Sequence, residues 1–148
     1  MDTDVVTQIR RLSQAYAYTS IQMHEAIGRK AGLSGTDHKY LGFLLQKGEM
    51  TAGELAGLSG LTTGAVTGLI DRLEKKKLVK RQLAEEDRRK VMIVPDTKKI
   101  MALLEPLYRQ YRSQSEKLIA SFNNKELKVL EKYFSGAIEI MNETTDKL

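Results

Sequence analysis

The chain has 148 residues, the usual size of one domain, and its 41% hydrophobic and 29% charged residues are typical of a globular protein and exclude wholesale disorder. It has no cysteine, which excludes disulfides, thiolate metal sites and cysteine nucleophiles. The net charge of +5 is concentrated, because residues 71–90 hold nine Lys or Arg against five Asp or Glu, whereas the other 128 residues hold 15 against 14.

The first predicted element is a helix over about residues 4–30. Its apolar positions recur every three or four residues and form one stripe, as in an amphipathic helix. The spacing approaches a heptad seam, so the stripe is suited to face either its own core or a second chain. The stripe consists of Val5, Ile9, Leu12, Tyr16, Thr19, Met23 and Ile27.

Three short helices are predicted where glycine is concentrated, since ten of the eleven glycines lie between Gly28 and Gly68 and mark frequent turns. Thr51 followed by Glu54 matches a capping box, and Thr62 is suited to cap the third helix. The predicted helices run over Ser34–Gln46, Thr51–Leu58 and Thr62–Lys76.

After Lys77 the hydrophobic period changes, which predicts two short strands at 78–83 and 91–94 joined by a polar turn. Two helices follow; Pro106 should kink the first, and Asn123 with Glu126 should cap the second. The predicted fold class is therefore mainly α with a small β wing. We expect one domain over residues 1–148, in which terminal helices at about 4–30 and 97–147 flank a winged helix-turn-helix lobe at about 34–95.

The helix that begins at Thr62 has two contrasting faces when residues are placed 100° apart. Ala65, Val66, Leu69, Ile70 and Leu73 form the apolar face, whereas Gly64, Thr67, Gly68, Asp71 and Lys75 form the opposite one, flanked by Thr63 and Arg72. A glycine on an exposed helix face costs about 1 kcal/mol relative to alanine, so another requirement must offset it. Two explanations stay open: insertion into a DNA major groove, where short side chains reach base edges and phosphates, or close approach of a neighbouring helix.

The turn between the two strands, residues 84–90, has its basic residues on the C-terminal side. An arginine at such a tip is suited to a narrow minor groove, although a charged turn is also compatible with simple solvation. Asp87 is expected to hold Arg89 by a charge-assisted hydrogen bond.

Three segments, Leu61–Glu74, Leu78–Arg81 and Glu86–Arg89, resemble the multiple-antibiotic-resistance regulator (MarR) family in sequence and spacing. The resemblance implies a homodimer held by the terminal helices, which binds double-stranded DNA at a palindromic operator as a repressor and is released by a small anionic or phenolic effector. Lys77 stands where the family usually has glycine, and Gly68 where it usually has a basic or polar residue. Residues 95–99 match the family pattern only loosely.

Two sets of candidate site residues follow. The predicted DNA contacts are Thr62, Thr63, Gly64, Thr67, Gly68, Arg72, Lys76, Asp87, Arg88, Arg89 and Lys90. The predicted effector cleft is lined by Tyr16, His38, Tyr40 and Tyr111. Phenols offer an apolar body with one polar tip, but these residues are equally suited to a core or a dimer interface.

Other classes of function are weighed against this interpretation. The two histidines, His24 and His38, show no catalytic spacing, so we expect neither an enzyme nor a metal or cofactor site. A zinc sensor using both histidines with Glu25 or Asp37 is a minor alternative. A second class is a winged-helix module that binds an acidic protein partner. The acidic N-terminus and the lack of an apolar run of roughly 20 residues predict a cytoplasmic protein without membrane contact.

Overall fold

The computed structural model describes residues 3–148, without the side chain of Ser59. The described chain is mostly helical with one small antiparallel sheet, which confirms the predicted fold class. In chain order the elements are α1 (Thr3–Lys30), α2 (Gly35–Lys47), β1 (Met50–Thr51), α3 (Ala52–Ser59), α4 (Thr63–Lys75), β2 (Val79–Leu83), β3 (Val91–Pro95), α5 (Thr97–Ala120) and α6 (Asn124–Asp146).

The helix starts follow from local capping chemistry. Thr51 and Thr62 each accept a hydrogen bond from the backbone N–H three residues further on, which satisfies a donor that has no partner within the helix. Asn123 and Glu126 form a complete capping box at the start of α6, because each side chain accepts the other residue's N–H at 2.9 Å. The predicted N-caps are thus confirmed at all three helices, but of the two predicted capping boxes only that of α6 is complete, since at Thr51 only the side-chain half is present.

The sheet has three strands in the order β1-β3-β2 and not the two that were predicted. The additional strand pairs Met50 with Ile93 and Thr51 with Met92, so β3 lies in the middle. A strand of two residues is too short to show an alternating pattern, which is why the sequence did not reveal it. As a result, the hairpin is joined to the segment that immediately precedes α3.

The core consists mainly of buried apolar side chains from α2, α3, α4, the sheet and the start of α5. The inner face of α4 supplies Val66, Leu69, Ile70 and Leu73, whose exposed fractions are 1% or less. Ala65, which was predicted to share this face, is exposed. It lies at the edge of the buried arc, about 90° from the arc's centre at 100° per residue.

The chain forms two compact units, with the boundary between Leu107 and Tyr108 on α5. The helix α5 continues through Pro106 as one element. In the second unit, α6 buries none of its residues, and large apolar side chains such as Ile138 and Met141 are exposed. In the first unit, the stripe of α1 is exposed at Val5, Ile9 and Leu12. No helix in residues 3–148 is long and apolar enough to cross a bilayer.

Candidate nucleic-acid interface

The outward face of α4 is bare. Apart from the adjoining residues and backbone of its own helix, Gly64 has no heavy atom of the described chain within 4 Å of the place where a Cβ would lie. At Gly68 the nearest such atom belongs to the Arg72 guanidinium of the same helix, at 3.6 Å. Thr67 is exposed, and its hydroxyl donates to the Thr63 carbonyl at 3.0 Å. No other helix within residues 3–148 approaches either glycine closely, so helix packing inside the chain does not explain them.

Arg72 fixes α4 to the start of α2. Its Nε and one Nη donate to the two carboxylate oxygens of Asp37 at 3.2 and 2.9 Å. The Asp37 side chain is only 3% exposed, whereas that of Arg72 is 54% exposed. The hydrogen bond to Asp37 raises the pKa of Arg72. The sequence predicted Arg72 as a DNA contact and gave no sign of this pair, whose partners are 35 positions apart.

Lys76 forms a second link on the same side of α4. Its Nζ donates to the Gly32 carbonyl at 3.0 Å, in the turn between α1 and α2. Lys76 was predicted as a DNA contact, and here its ammonium is used within the chain. Arg72 and Lys76 are four residues apart, so they lie on neighbouring turns of the helix and both hold the α1–α2 corner.

The end of α4 is a tight reversal centred on Lys77. Its φ of 61° lies in the left-handed region, and no other non-glycine among the described residues has a positive φ. The N–H of Leu78 donates to the Leu73 carbonyl at 3.0 Å and that of Lys77 to the Glu74 carbonyl at 2.9 Å. This is a Schellman motif, in which glycine is the usual residue. The reversal sends the chain directly into β2.

Arg81 on β2 joins the hairpin to α4. One Nη donates to Asp71 and the other to Glu74, both at 2.6 Å. The backbone N–H of Arg81 donates to the second carboxylate oxygen of Glu74 at 3.1 Å. The hydrogen bond to Asp71 is the main cause that raises the pKa of Arg81. Sequence reasoning missed this residue as a site residue, because the spacing of Asp71 and Glu74 places two carboxylates near each other on α4 but does not identify their partner on β2.

The turn of the hairpin is ordered by Asp87. Its carboxylate accepts the backbone N–H of Arg89 at 3.0 Å and Nε of the same residue at 3.1 Å, which confirms the predicted bond. These hydrogen bonds hold the pKa of Asp87 below its usual value, and the largest contribution comes from the backbone N–H of Arg89. The Arg89 side chain is 92% exposed, and Arg88 and Lys90 beside it are also exposed. The tip thus presents three cations to solvent.

The predicted effector residues have different environments. Tyr40 is 1% exposed, and its hydroxyl has no hydrogen-bond partner in the described part of the chain. Tyr16 on α1 and Tyr111 in the second unit are exposed. His38 is half-buried beside Gly28. Two surface depressions, one beside Pro95 and one under the hairpin turn, are lined by other residues.

The two histidines come together between α1 and α2, with ring centroids 6.0 Å apart. Burial lowers the pKa of His38, and the neighbouring His24 lowers it further. Within residues 3–148, no group of three or more His, Cys, Asp or Glu side chains is arranged to hold a metal ion. Asp37, one of the two acids that the zinc alternative offered, is instead bound by Arg72.

Comparison with known proteins shows to which family the chain is related. A sequence profile of the MarR family matches residues 31–90, from the α1–α2 corner to the end of the hairpin turn. The uncharacterized HTH-type transcriptional regulator YcgE of Bacillus subtilis is 36% identical over 129 residues, which cover 87% of this chain and 83% of YcgE.

Solved structures show the same relationship at the level of the fold. A MarR family protein from Bacillus stearothermophilus is 25% identical, with a TM-score of 0.74 over 96% of this chain and 99% of that one. FabT of Streptococcus pneumoniae, solved in complex with DNA, is 18% identical with a TM-score of 0.73 over 94% of this chain and 99% of its own, and shares the fold. The chain belongs to the MarR family.

Proposed function

We propose that this protein is a homodimeric, sequence-specific DNA-binding transcriptional regulator that acts as a repressor. In this proposal α4 is the recognition helix and enters the major groove, while the β2–β3 hairpin is a wing that reaches the adjacent minor groove. The observation that carries it is the contrast between the two faces of α4, since the inner face is buried whereas Gly64, Thr67 and their neighbours are uncovered.

The bare face fits DNA for a steric reason. The short residues Gly64, Thr67 and Gly68 let the helix backbone approach the floor of the groove. The Thr63 and Thr67 hydroxyls are able to reach base edges or phosphates. The free energy of these contacts offsets the cost of placing Gly64 and Gly68 within a helix. At the tip of the wing, the exposed Arg89 guanidinium suits the strong negative potential of a narrow minor groove.

The homodimer is supported by the apolar surface that the single chain leaves in water. Val5, Ile9 and Leu12 are exposed along α1, and the apolar face of α6 is exposed in the second unit. Contiguous apolar side chains of this kind mark interfaces. A twofold assembly would present two recognition helices to successive major grooves about 34 Å apart, so the operator should be palindromic.

Control by a small anionic or phenolic effector is part of the proposal and rests on family membership. An effector that releases DNA must bind the DNA-free protein more tightly, because the coupling between two ligands is reciprocal. Phenol and benzoate serve as probes. The proposal is supported if one of them weakens binding of the protein to the operator and itself binds less tightly when the operator is present.

DNA binding is tested by selecting bound sequences from random duplexes and then measuring the affinity of variants by gel shift. Thr67→Glu places a negative charge on the outward face of α4, and Arg89→Ala removes the exposed cation of the wing. Each should weaken binding by roughly tenfold or more, since one such contact contributes about 1–3 kcal/mol. Circular dichroism should show that both variants remain folded.

Two matched variants control for charge alone. Gln46→Glu adds the same charge on the exposed side of α2, and Lys98→Ala removes a cation near the start of α5. Both should change affinity much less than their counterparts. The logarithm of the affinity should also fall steeply with the logarithm of salt concentration, because phosphate contacts release counterions. An unchanged affinity for both Thr67→Glu and Arg89→Ala would exclude this DNA-binding surface and favour an acidic protein partner.

A further inference from the structure

We infer that Arg81 is a positioning residue that fixes the angle between α4 and the β2–β3 wing, so that the helix and the wing tip bind DNA as one rigid unit. The inference rests on the proposed function, in which both elements contact the same duplex. It assigns to Arg81 an effect on DNA affinity that does not require Arg81 to touch the DNA.

The geometry is that of a clamp with three points. The guanidinium spans two carboxylates on α4, with Nη–oxygen distances of 2.6 Å to both Asp71 and Glu74. The third point is the backbone N–H of Arg81, which Glu74 accepts at 3.1 Å. A side chain alone would permit the strand to slide, whereas a bond to the backbone also fixes the position of β2 along the helix.

The position of β2 in the sheet explains why a clamp is needed. The strand order is β1-β3-β2, so β2 is an edge strand whose outer N–H groups have no partner in the sheet. Glu74 supplies a partner for one of them. The tip begins at residue 84, three residues and about 10 Å beyond Arg81 at ~3.3 Å per residue, so a small rotation at the clamp displaces Arg89 by a larger distance.

An explanation in which Arg81 acts only through its charge makes a different prediction for the same residues. Asp71 and Glu74 carry two negative charges beside the proposed DNA surface, and Arg81 compensates for one. If Arg81 acted only by lowering this negative charge, then removal of both carboxylates would strengthen DNA binding and leave the contribution of the wing unchanged. If Arg81 acts by holding the wing at a fixed angle to α4, removal of the carboxylates would release the wing. The effect of Arg89→Ala on DNA affinity would then become smaller.

The test is a double-mutant cycle on the selected operator. In the wild-type background Arg89→Ala should weaken binding about tenfold, because a well-placed arginine contact is of that order. In the Arg81→Met background the same change should weaken binding only about twofold, since the tip is no longer held in place. Arg81→Lys, which reaches one carboxylate but cannot span both, should give an intermediate ratio.

Two further backgrounds separate position from charge. Lys80→Met removes the same charge from the preceding, exposed residue of β2 and should keep the tenfold effect of Arg89→Ala. Asp71→Asn combined with Glu74→Gln makes the surface less negative, yet should also reduce the Arg89→Ala effect to about twofold.

The outcomes are distinct. A tenfold effect of Arg89→Ala that persists in the Arg81→Met background would overturn the role of Arg81 while leaving the proposed function intact. Failure of both Thr67→Glu and Arg89→Ala to weaken DNA binding in the wild-type background would overturn the proposed function itself. If Arg81→Met does not fold by circular dichroism, Arg81→Lys and the carboxylate double variant decide the question.

Discussion

Lys77 holds a backbone conformation that its own side chain disfavours. The left-handed region costs a residue with a Cβ about 1–2 kcal/mol, and glycine escapes most of this cost. The conformation persists because two hydrogen bonds and the buried contact partners Leu73 and Leu78 require the reversal at this point. The departure from the family's usual glycine is thus a local strain that the chain tolerates.

Replacement of Lys77 by glycine should therefore stabilise the protein. We expect Lys77→Gly to raise the free energy of unfolding by about 1 kcal/mol, which corresponds to a rise of roughly 2–4 °C in Tm for a chain of this size. The measurement is thermal or urea unfolding followed by circular dichroism.

Lys75→Gly is the matched control, because it removes the same side chain two residues earlier, within α4. There the backbone is helical, and glycine should destabilise by about 0.5–1 kcal/mol. Equal effects of the two substitutions would show that Lys77 is not strained.

At the scale of elements, the packing of α1 against α2 contains an ionisable pair. Gly28 permits the close approach, since a Cβ there would lie 3.0 Å from the Cβ of His38. Burial of the His38 ring, and secondarily the nearby His24, lowers the pKa of His38 below 6.5. The folded state therefore resists protonation of a group that the unfolded state protonates readily.

This difference predicts how stability depends on pH. Well above about pH 6.5, His38 is neutral in both states and contributes no dependence. As the pH falls through 6.5, the unfolded state binds the proton first, so the free energy of unfolding decreases until the lowered folded-state pKa is reached. His38→Gln should make the free energy of unfolding less dependent on pH between about 5 and 7, as measured by urea unfolding.

His24→Gln serves as the comparison. It removes only the smaller of the two causes, so most of the wild-type dependence on pH should remain. If His38→Gln left the dependence on pH unaltered, titration of His38 would not be its source.

Elements with a local signal were predictable from the sequence, and those that depend on distant contacts were not. Asn123 and Glu126 reveal the start of α6 because a capping box is encoded within four residues. The pair of Asp37 with Arg72 and the clamp at Arg81 depend on which elements meet in space, which no periodicity encodes. The exposed face of α4 was predictable because its apolar positions follow the period of a helix. The residues predicted to line an effector cleft carried no such pattern, and Tyr40 belongs to the core.

At the scale of the whole molecule, exposed apolar side chains on the terminal helices predict self-association. Leu12, on the stripe of α1, is 55% exposed in the single chain. In a homodimer this side chain would be buried, and a charge there would be costly to desolvate. Leu12→Glu should therefore shift the equilibrium from dimer to monomer by more than tenfold, as measured by sedimentation equilibrium.

Gln14→Glu is the control for this variant, because Gln14 is an exposed residue on the opposite side of α1. It adds the same charge and should leave the association constant nearly unchanged. A wild-type protein that sediments as a single subunit would contradict the homodimer directly.

The short strand β1 has a consequence for how such a molecule is regulated. It anchors the middle strand of the sheet immediately before Thr51 caps α3, so the base of the hairpin cannot swing independently of the helices beside it. Within each protomer of the proposed homodimer, the hairpin and the helices α3 and α4 would then move as one body. In the proposed homodimer we expect a regulatory signal to change the separation of the two DNA-binding lobes, so the number of base pairs between half-sites would be the operator property to which DNA binding is most sensitive.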